Sequence, residues 1–212
     1  MRDIFLVTGA IYGKAGTNGL LDPATRIQQT IDTAVSIKQH LPNAVIYLIE
    51  GGSQTLDLAL RAKFLEYYTD ILDFSYHPFI AFAHNQIDTT KQEITVIKGP
   101  CETFLLRETC KLLSVTDDDR IYKISGRYRL TDAFNPKEHH AARGKYLMLA
   151  KTDCLEYYSD PNSVTYSPYQ YSTRLYSFCG SIINRAIENY NTMNERLLNL
   201  CGNLAAFGIG HE

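Results

Sequence analysis

Short apolar runs recur along the chain at the length expected of buried β-strands. The clearest are residues 4–8, residues 44–49 and the segment around Ile124. Each of these runs is followed directly by a glycine or a polar residue, which indicates a loop at its carboxyl end. Weaker strand candidates cover residues 71–74, 81–83, 94–97 and 146–150.

Apolar residues at helical spacing fill the intervals between these strands. Residues 23–41 repeat apolar side chains every three or four positions, and Asp22-Pro23 supplies an N-cap followed by a proline suited to the first helical position. Three further helices are predicted: one capped by Ser53, one from Gly99-Pro100 to about Leu113, and one over residues 181–201.

This alternation of strand and helix predicts an α/β fold, with a mostly parallel sheet flanked by helices on both faces. Ligands of such sheets bind beyond the carboxyl ends of the strands. Three predicted strand ends should therefore border one crevice: Thr8-Gly9, Glu50-Gly51-Gly52 and Ser125-Gly126-Arg127.

Composition limits the kinds of partner. The 212 residues suffice for a single domain, and 45% hydrophobic with 21% charged residues is typical of a globular protein. A net charge of −2 argues against a general nucleic-acid binder, but it allows a small anionic ligand because local charge differs from the total.

Cysteine usage and apolar stretches bear on location. The five cysteines form no Cys-x-x-Cys pair, which favours reduced thiols and a cytoplasmic protein. No apolar stretch approaches the roughly 20 residues of a membrane span, so none is expected. The chain ends abruptly at Gly210-His211-Glu212, which suggests one module of a longer polypeptide.

The segment from Ile121 to Asp132 carries the strongest candidate chemistry. A buried strand with Lys123 leads into Ser125-Gly126-Arg127, where glycine allows close backbone approach and arginine can bind two phosphate oxygens at once. This predicts a phosphate site. An ordinary turn with solvated arginines explains the local pattern equally well.

Three residues elsewhere are further candidates for the same ligand. Lys98 precedes the predicted helix start, where free N–H groups favour anions, and Arg26 lies early in the first long helix. Glu50-Gly51-Gly52-Ser53, after the second strand, resembles the Asp-Asp-Gly-Ser of family 2 glycosyltransferases, and this resemblance implies that Glu50 accepts hydrogen bonds from a nucleoside. The alternatives are a surface lysine for Lys98 and a plain helix-capping turn for Glu50-Gly51-Gly52-Ser53.

The first glycine loop offers a competing interpretation. Thr8-Gly9-Ala10 begins a segment similar to the dinucleotide loop of short-chain dehydrogenases, Thr-Gly-x-x-x-Gly-x-Gly, but its last glycine is displaced by one position. The catalytic Tyr-x-x-x-Lys of that family does not occur in the sequence. A nicotinamide-dependent oxidoreductase therefore remains an alternative hypothesis, as does a non-catalytic nucleotide- or glycan-binding module.

Three segments together resemble nucleotide-sugar glycosyltransferases of the GT-A fold. They are Glu50-Gly51-Gly52-Ser53, Lys98-Gly99-Pro100-Cys101-Glu102 and Lys123-Ile124-Ser125-Gly126-Arg127-Tyr128. The last is similar to a motif in viral and bacterial glycosyltransferase-like proteins. The resemblance covers about residues 4–150 and implies a single GT-A-like domain over residues 1–212.

The resemblance also implies a function. The donor would be UDP-glucose or a related UDP-sugar, the acceptor a carbohydrate or glycoprotein such as a viral capsid glycan, and the cofactor a divalent metal, Mn²⁺ or Mg²⁺. Residues 1–132 would form the nucleotide-sugar half and residues 133–212 the acceptor side. The expected donor-binding residues are Thr8, Gly9, Ala10, Arg26, Glu50, Gly51, Lys98, Lys123, Ser125, Gly126 and Arg127.

One departure from the family concerns the metal. GT-A enzymes usually place Asp-x-Asp at the end of the central strand, where this chain has Ser125-Gly126-Arg127. Asp117-Asp118-Asp119 precedes that strand and should lie at the wrong end, in a solvated loop. We therefore expect Asp132 to act as metal ligand or catalytic base, Arg127 to act beside it, and His211 to be a second metal ligand. Adjacent His139 and His140 would point apart on a strand.

Overall fold

A computed structural model describes residues 1–13, 22–85, 95–151 and 170–200. The strands are β1 (Asp3–Gly9), β2 (Val45–Glu50), β3 (Asp70–Asp73), β4 (Arg120–Ser125), β5 (Leu147–Lys151) and β6 (Gln170–Cys179). The helices are α1 (Pro23–His40), α2 (Leu58–Leu65), α3 (Pro78–Asn85), α4 (Thr95–Leu112), α5 (Pro136–Ala141) and α6 (Ile183–Leu200), with a 3₁₀ turn at Gly180–Ile182.

The strands form one six-stranded sheet in the order β3-β2-β1-β4-β6-β5. The first four are mutually parallel, and β6 runs antiparallel between β4 and β5. Five of the six strands therefore point the same way, which confirms the predicted α/β class with a mostly parallel sheet. The antiparallel β6 was not predicted.

Each face of the sheet carries its own hydrophobic core because successive strand side chains point to opposite faces. On one face, Phe5 and Val7 of β1 pack in a cluster with Ile31 of α1. On the other, Ile4 and Leu6 join a cluster with α4 and α6 residues. β1 lies at the centre of both cores, so its end is held firmly from either side.

Local sequence explains where α1 begins. The side chain of Asp22 accepts a hydrogen bond from the Thr25 backbone N–H at 3.0 Å, and Pro23 occupies the first turn, where no intrahelical donor is needed. The predicted helix over residues 23–41 is confirmed to within one residue at its end.

Three predicted elements were wrong in kind or in position. Asp57, not Ser53, caps α2, because its carboxylate accepts from the Leu60 N–H at 2.8 Å. Residues 81–83 belong to α3 rather than to a strand. Residues 95–97, expected in a strand, open α4, which starts before Gly99 and contains Pro100.

The amino edge of the sheet is closed by buried polar contacts. Asp119 is nearly inaccessible and binds the Arg2 guanidinium at 2.6 Å. Burial raises the pKa of Asp119, but hydrogen bonds from Arg2 and from the Thr116 backbone outweigh it, so the pKa lies well below its usual range. The acidic triplet lies at the predicted edge, but its last carboxylate is buried rather than solvated.

The adjacent histidines His139 and His140 lie on helix α5. The Nε2 of His140 is 2.6 Å from the Asp3 carboxylate, and the Nδ1 of His139 is 2.7 Å from the Ser177 hydroxyl. Both histidines therefore belong to the amino edge. Among the helices within the described ranges, none combines the length and apolarity needed to cross a bilayer.

Candidate functional site

The carboxyl ends of β1, β2 and β4 lie side by side, as the sequence predicts. Thr8 pairs with Ser125 across one side of β1, and Gly9 pairs with Glu50 across the other. The chain leaves β1 toward β2, whereas β4 is reached from β3 across the sheet, so the strand order reverses between β1 and β4. Such a switch point opens a crevice for ligands at the carboxyl edge. We call this edge the rim.

Glu50 shapes the turn after β2. Its carboxylate is completely buried, and Oε1 accepts hydrogen bonds from the backbone N–H groups of Ile11 and Gly52, each at 2.9 Å. Its Oε2 has no hydrogen-bond partner. Glu50 thereby ties the loop after β1 to the turn after β2.

Burial raises the pKa of Glu50 to about 8. The N–H of Ile11 lowers it, nearby Asp73 raises it, and Arg26 lowers it by a smaller amount. At neutral pH the carboxyl group is therefore mostly protonated. A protonated Glu50 leaves the charge of neighbouring Arg26 uncompensated.

Arg26 is a buried cation, and among the described residues no carboxylate forms an ion pair with it. Only 8% of the residue is exposed, and its Nε has no hydrogen-bond partner in the described part of the chain. Burial lowers the pKa of Arg26, and so does the positive charge of Arg127, while Glu50 opposes both. A buried charge is normally paired, because the loss of hydration costs several kcal/mol otherwise. The arrangement favours an anion beside Arg26.

Arg127 follows β4 in a tight turn. The N–H of Gly126 donates to the Thr8 carbonyl at 2.9 Å, and the N–H of Tyr128 donates to the Ser125 carbonyl at 3.0 Å. A side chain at position 126 would be crowded by the Thr30 hydroxyl, 3.2 Å from the Cβ position. The turn leaves Arg127 exposed and within electrostatic range of Arg26. Two cations thus face the rim from the α1 side of the sheet.

Lys123 is placed differently from the expected phosphate contact. Its Nζ lies 2.7 Å from Glu102 Oε1, its side chain is 2% exposed, and the Thr8 hydroxyl donates to the same oxygen at 2.9 Å. Strand alternation points Lys123 and Thr8 to the α4 face, opposite Arg26. The positive charge of Lys123 is therefore matched by Glu102 instead of being displayed toward a phosphate.

Asp132 does not lie at the rim, and its expected catalytic or metal role there is corrected. After β4 the chain descends along α1: Thr30 donates to the Gly126 carbonyl, and Asp132 lies 3.9 Å from His40. Ten helical residues from Thr30 to His40 span about 15 Å. Asp132 is fully exposed and sits near the carboxyl end of α1, toward the amino edge of the sheet.

Of the remaining predicted site residues, Gly9, Gly51 and Ala10 are described by the structure, whereas the Lys98 side chain and His211 are not. A Cβ at Gly9 would come within 2.9 Å of Glu50 Oε2, and one at Gly51 within 2.6 Å of Leu105, so both glycines permit close packing at the rim. Ala10 follows β1 directly. Lys98 lies in α4, but its side chain is outside the described part of the chain, and so is His211.

The expected metal does not fit the residues that the structure describes. Within those ranges, no three His, Cys, Asp or Glu side chains come together in a way that could hold a metal ion. At the end of β4, where the resemblance implies two aspartates, the chain presents the cation Arg127. Glu102, a carboxylate at the rim, already binds Lys123.

Sequence analysis missed Glu102 as a site residue. Glu102 appeared there only as part of the segment from Lys98 to Glu102, and the structure places it in the body of α4, which begins at Thr95. Its partners Lys123 and Thr8 are distant in sequence. Only the packing of α4 across β1 and β4 reveals the group.

Two cavities formed by described residues lie away from the rim. One of about 320 Å³ separates α1 from α2, and one of about 180 Å³ at the amino edge includes Arg120, His140 and Cys179. The Arg120 guanidinium is already hydrogen-bonded to Ser177 and to the Ala142 carbonyl. Because the Arg120 guanidinium is already hydrogen-bonded and the Nε of Arg26 has no partner among the described residues, the rim is a better candidate for an anion site than either cavity.

Comparison with known proteins adds no relative. No protein-family model matches the chain, and the comparison with curated proteins finds no similar sequence. The function is therefore argued from the site's geometry and from the resemblance of its motifs.

Proposed function

We propose that the chain is a glycosyltransferase that moves a hexose from a UDP-sugar, UDP-glucose or a related one, to a glycan acceptor. The observation that carries the proposal is buried Arg26, whose Nε has no hydrogen-bond partner among the described residues and whose charge is close enough to Arg127 for the two to interact at the switch point of the sheet. Two neighbouring cations favour an anion with more than one charge, and a diphosphate has that charge.

The resemblance of the rim segments to GT-A glycosyltransferases supports a sugar nucleotide as the compound that carries the diphosphate. Glu50-Gly51-Gly52-Ser53 and Ser125-Gly126-Arg127 belong to the resembling motifs, and both lie at the rim. Glu50 acts by holding the β1 and β2 loops together and by remaining protonated, so that Arg26 keeps its charge for the ligand.

The rim residues have definable tasks in group transfer. As the bond from the sugar to the diphosphate breaks, negative charge grows on the leaving UDP. Arg26 and Arg127 would stabilise this charge, and burial in the fold limits how far Arg26 has to move to do so. The loops after β1 and β2 would hold donor and acceptor together and lower the entropic cost. A metal, which the resemblance implies, has no fitting ligand set in the described residues, and no step is derived through one.

Calorimetric titration of the protein tests the proposal, with UDP, UDP-glucose and NAD as ligands and with or without Mn²⁺. We expect UDP to bind and NAD not to bind. Binding of NAD without binding of UDP would instead favour the oxidoreductase hypothesis. Binding of UDP with no release of UDP from any UDP-hexose, with glycan acceptors present, would favour a non-catalytic binding module.

A further inference from the structure

We propose that Glu102 is the catalytic base of this site, held in position by Lys123 and Thr8. The inference rests on the proposed function and deepens it, because it names the group that receives the acceptor's proton. It follows from a comparison of the carboxylates at the rim and from the hydrogen bonds of each.

At the carboxyl edge, the side chains of Asp22 and Asp57 serve as N-caps of α1 and α2. Three further carboxylates of the described residues lie there, on the strands or on α4. Glu50 is fully buried and bound to loop N–H groups. The Asp73 side chain is 6% exposed and binds the Leu56 and Ser75 N–H groups and Arg61. The Glu102 side chain is 34% exposed, and it alone of the three could reach an incoming hydroxyl.

Among the described residues, the polar contacts of the Glu102 carboxylate all involve one of its two oxygens, Oε1. Both Lys123, at 2.7 Å, and the Thr8 hydroxyl, at 2.9 Å, bind Oε1. Within the described ranges, no residue donates a hydrogen bond to Oε2. The carboxylate is thus fixed in one orientation through Oε1, while Oε2 is left to accept a proton.

The position of Glu102 fits its task. Thr8 is the penultimate residue of β1, so the group lies at the rim on the α4 face, whereas Arg26 approaches from the α1 face. A sugar nucleotide in the crevice would have its diphosphate beside the arginines and its sugar toward Glu102. Lys123 next to the carboxylate argues against a cation ligand, because a divalent ion would lie beside an ammonium group.

The proposed reaction is a single displacement at the anomeric carbon of the sugar. The acceptor hydroxyl oxygen forms a bond to the anomeric carbon and loses its proton to Glu102 Oε2. The bond from the anomeric carbon to the phosphate oxygen breaks, and its electron pair leaves with UDP, whose charge Arg26 and Arg127 stabilise. Without an acceptor, water takes the same place and the sugar is hydrolysed.

Release of UDP from a panel of UDP-hexoses, measured with Mn²⁺ and with water as acceptor, tests the role. Glu102→Gln should lower kcat about a hundredfold, a typical general-base contribution, while UDP affinity stays within about twofold. Glu108→Gln is the matched control, since Glu108 lies on the same helix and binds only Arg107 and Lys111 among the described residues. It should leave kcat unchanged.

A double variant guards against loss of the fold. Glu102→Gln alone removes the negative charge that lies 2.7 Å from the Nζ of buried Lys123, and this destabilises the fold. Glu102→Gln combined with Lys123→Met removes both charges and should fold, bind UDP and remain inactive. A folded double variant that turns over as fast as the wild type overturns the inference, and so does a wild type that binds UDP but hydrolyses no UDP-hexose.

The positioning role of Thr8 has its own readout. Thr8→Val should lower kcat several-fold with little change in KM for the donor, and Thr8→Ser should restore it because it keeps the hydroxyl. An unchanged kcat in Thr8→Val contradicts that role. Failure of UDP to bind any of these proteins, the wild type included, contradicts the proposed function itself, whereas normal UDP binding with normal kcat in Glu102→Gln contradicts only the base.

Discussion

Burial of the Arg26 charge destabilises the fold, and the same charge is available to bind an anionic ligand. The residue is buried beside a mostly protonated Glu50, and no group in the described ranges accepts a hydrogen bond from its Nε. Such strain is common where a site is built in advance for a charged partner. The same feature allows stability and binding to be separated experimentally.

Arg26→Met should stabilise the ligand-free protein while weakening UDP binding. The substitution keeps an unbranched apolar stem and removes the buried charge, so we expect the free energy of unfolding to rise by about 1 kcal/mol. Urea unfolding with and without UDP measures both effects. A destabilised variant that gains as much stability from UDP as the wild type would show that Arg26 serves the fold alone.

Arg127→Ala should act on binding only. The side chain is exposed, so the fold should be unchanged, whereas the loss of charge-assisted hydrogen bonds to a phosphate should cost about 2–3 kcal/mol, or about 30- to 150-fold in the Kd for UDP. Arg129→Ala is the control, since its partner Asp32 lies on α1 and an exposed pair contributes little. Equal UDP affinity in wild type and Arg127→Ala removes Arg127 from the site.

Glu50 should make stability fall as pH rises. Its pKa of about 8 in the folded protein exceeds the ordinary value of 4.5, so between these values the folded state holds a proton that the unfolded state releases. Stability should then decline by up to about 1.4 kcal/mol per pH unit across this window. Glu50→Gln, which mimics the protonated acid, should gain on the wild type from pH 5 to pH 8 in urea unfolding. A constant difference would contradict a protonated Glu50.

At the level of single residues, sequence predicted the cations better than the carboxylates. Arg127 and Arg26 stand next to recognisable glycine and helix-start patterns, which place them at strand and helix ends. Asp132 was misplaced because nothing local shows that the chain turns down along α1 after Gly126. Glu102 was overlooked because its partner Lys123 is brought to it only by tertiary packing.

Among the elements, the turn after β2 depends most on glycine. A Cβ at Gly52 would lie 2.6 Å from Glu50 Oε1 and 2.8 Å from the Tyr12 carbonyl oxygen, and the backbone atoms cannot move aside cheaply. Gly52→Ala should therefore lower the free energy of unfolding by about 2 kcal/mol or more. Thermal unfolding against Gly144→Ala, where the added methyl meets no neighbour but φ is +66°, measures the difference. If Gly52→Ala lowers the free energy of unfolding by less than Gly144→Ala does, the close approach of Glu50 and Tyr12 to Gly52 is contradicted.

Elements were predicted well where capping and periodicity agreed. Asp22 and Pro23 mark the start of α1 without tertiary help. The apolar residues near position 80 suggest a strand locally, yet Phe79, Ile80 and Ala83 bury one face of helix α3. β6 lies partly in a tyrosine-rich segment whose sequence did not predict a strand. Its pairing with β4, which buries Tyr176 and Phe178, stabilises it as a strand.

Across the whole molecule, the two edges of the sheet differ in character. At the amino edge, Asp119 with Arg2 and Asp3 with Tyr122 and His140 form satisfied contacts. At the carboxyl edge, Arg26 is unsatisfied and Arg127 projects outward. Alternating strands and helices predicted that Thr8-Gly9, Glu50-Gly51-Gly52 and Ser125-Gly126-Arg127 share the carboxyl edge, but not the polar contacts at the amino edge.

We propose that the rim between β1 and β4 binds the diphosphate of a sugar nucleotide. A crystal structure of the protein with UDP and Mn²⁺ tests it most directly. We predict the diphosphate between Arg26 and Arg127, within hydrogen-bond distance of both guanidinium groups. A diphosphate bound elsewhere, with Arg26 still unpaired, would contradict the account.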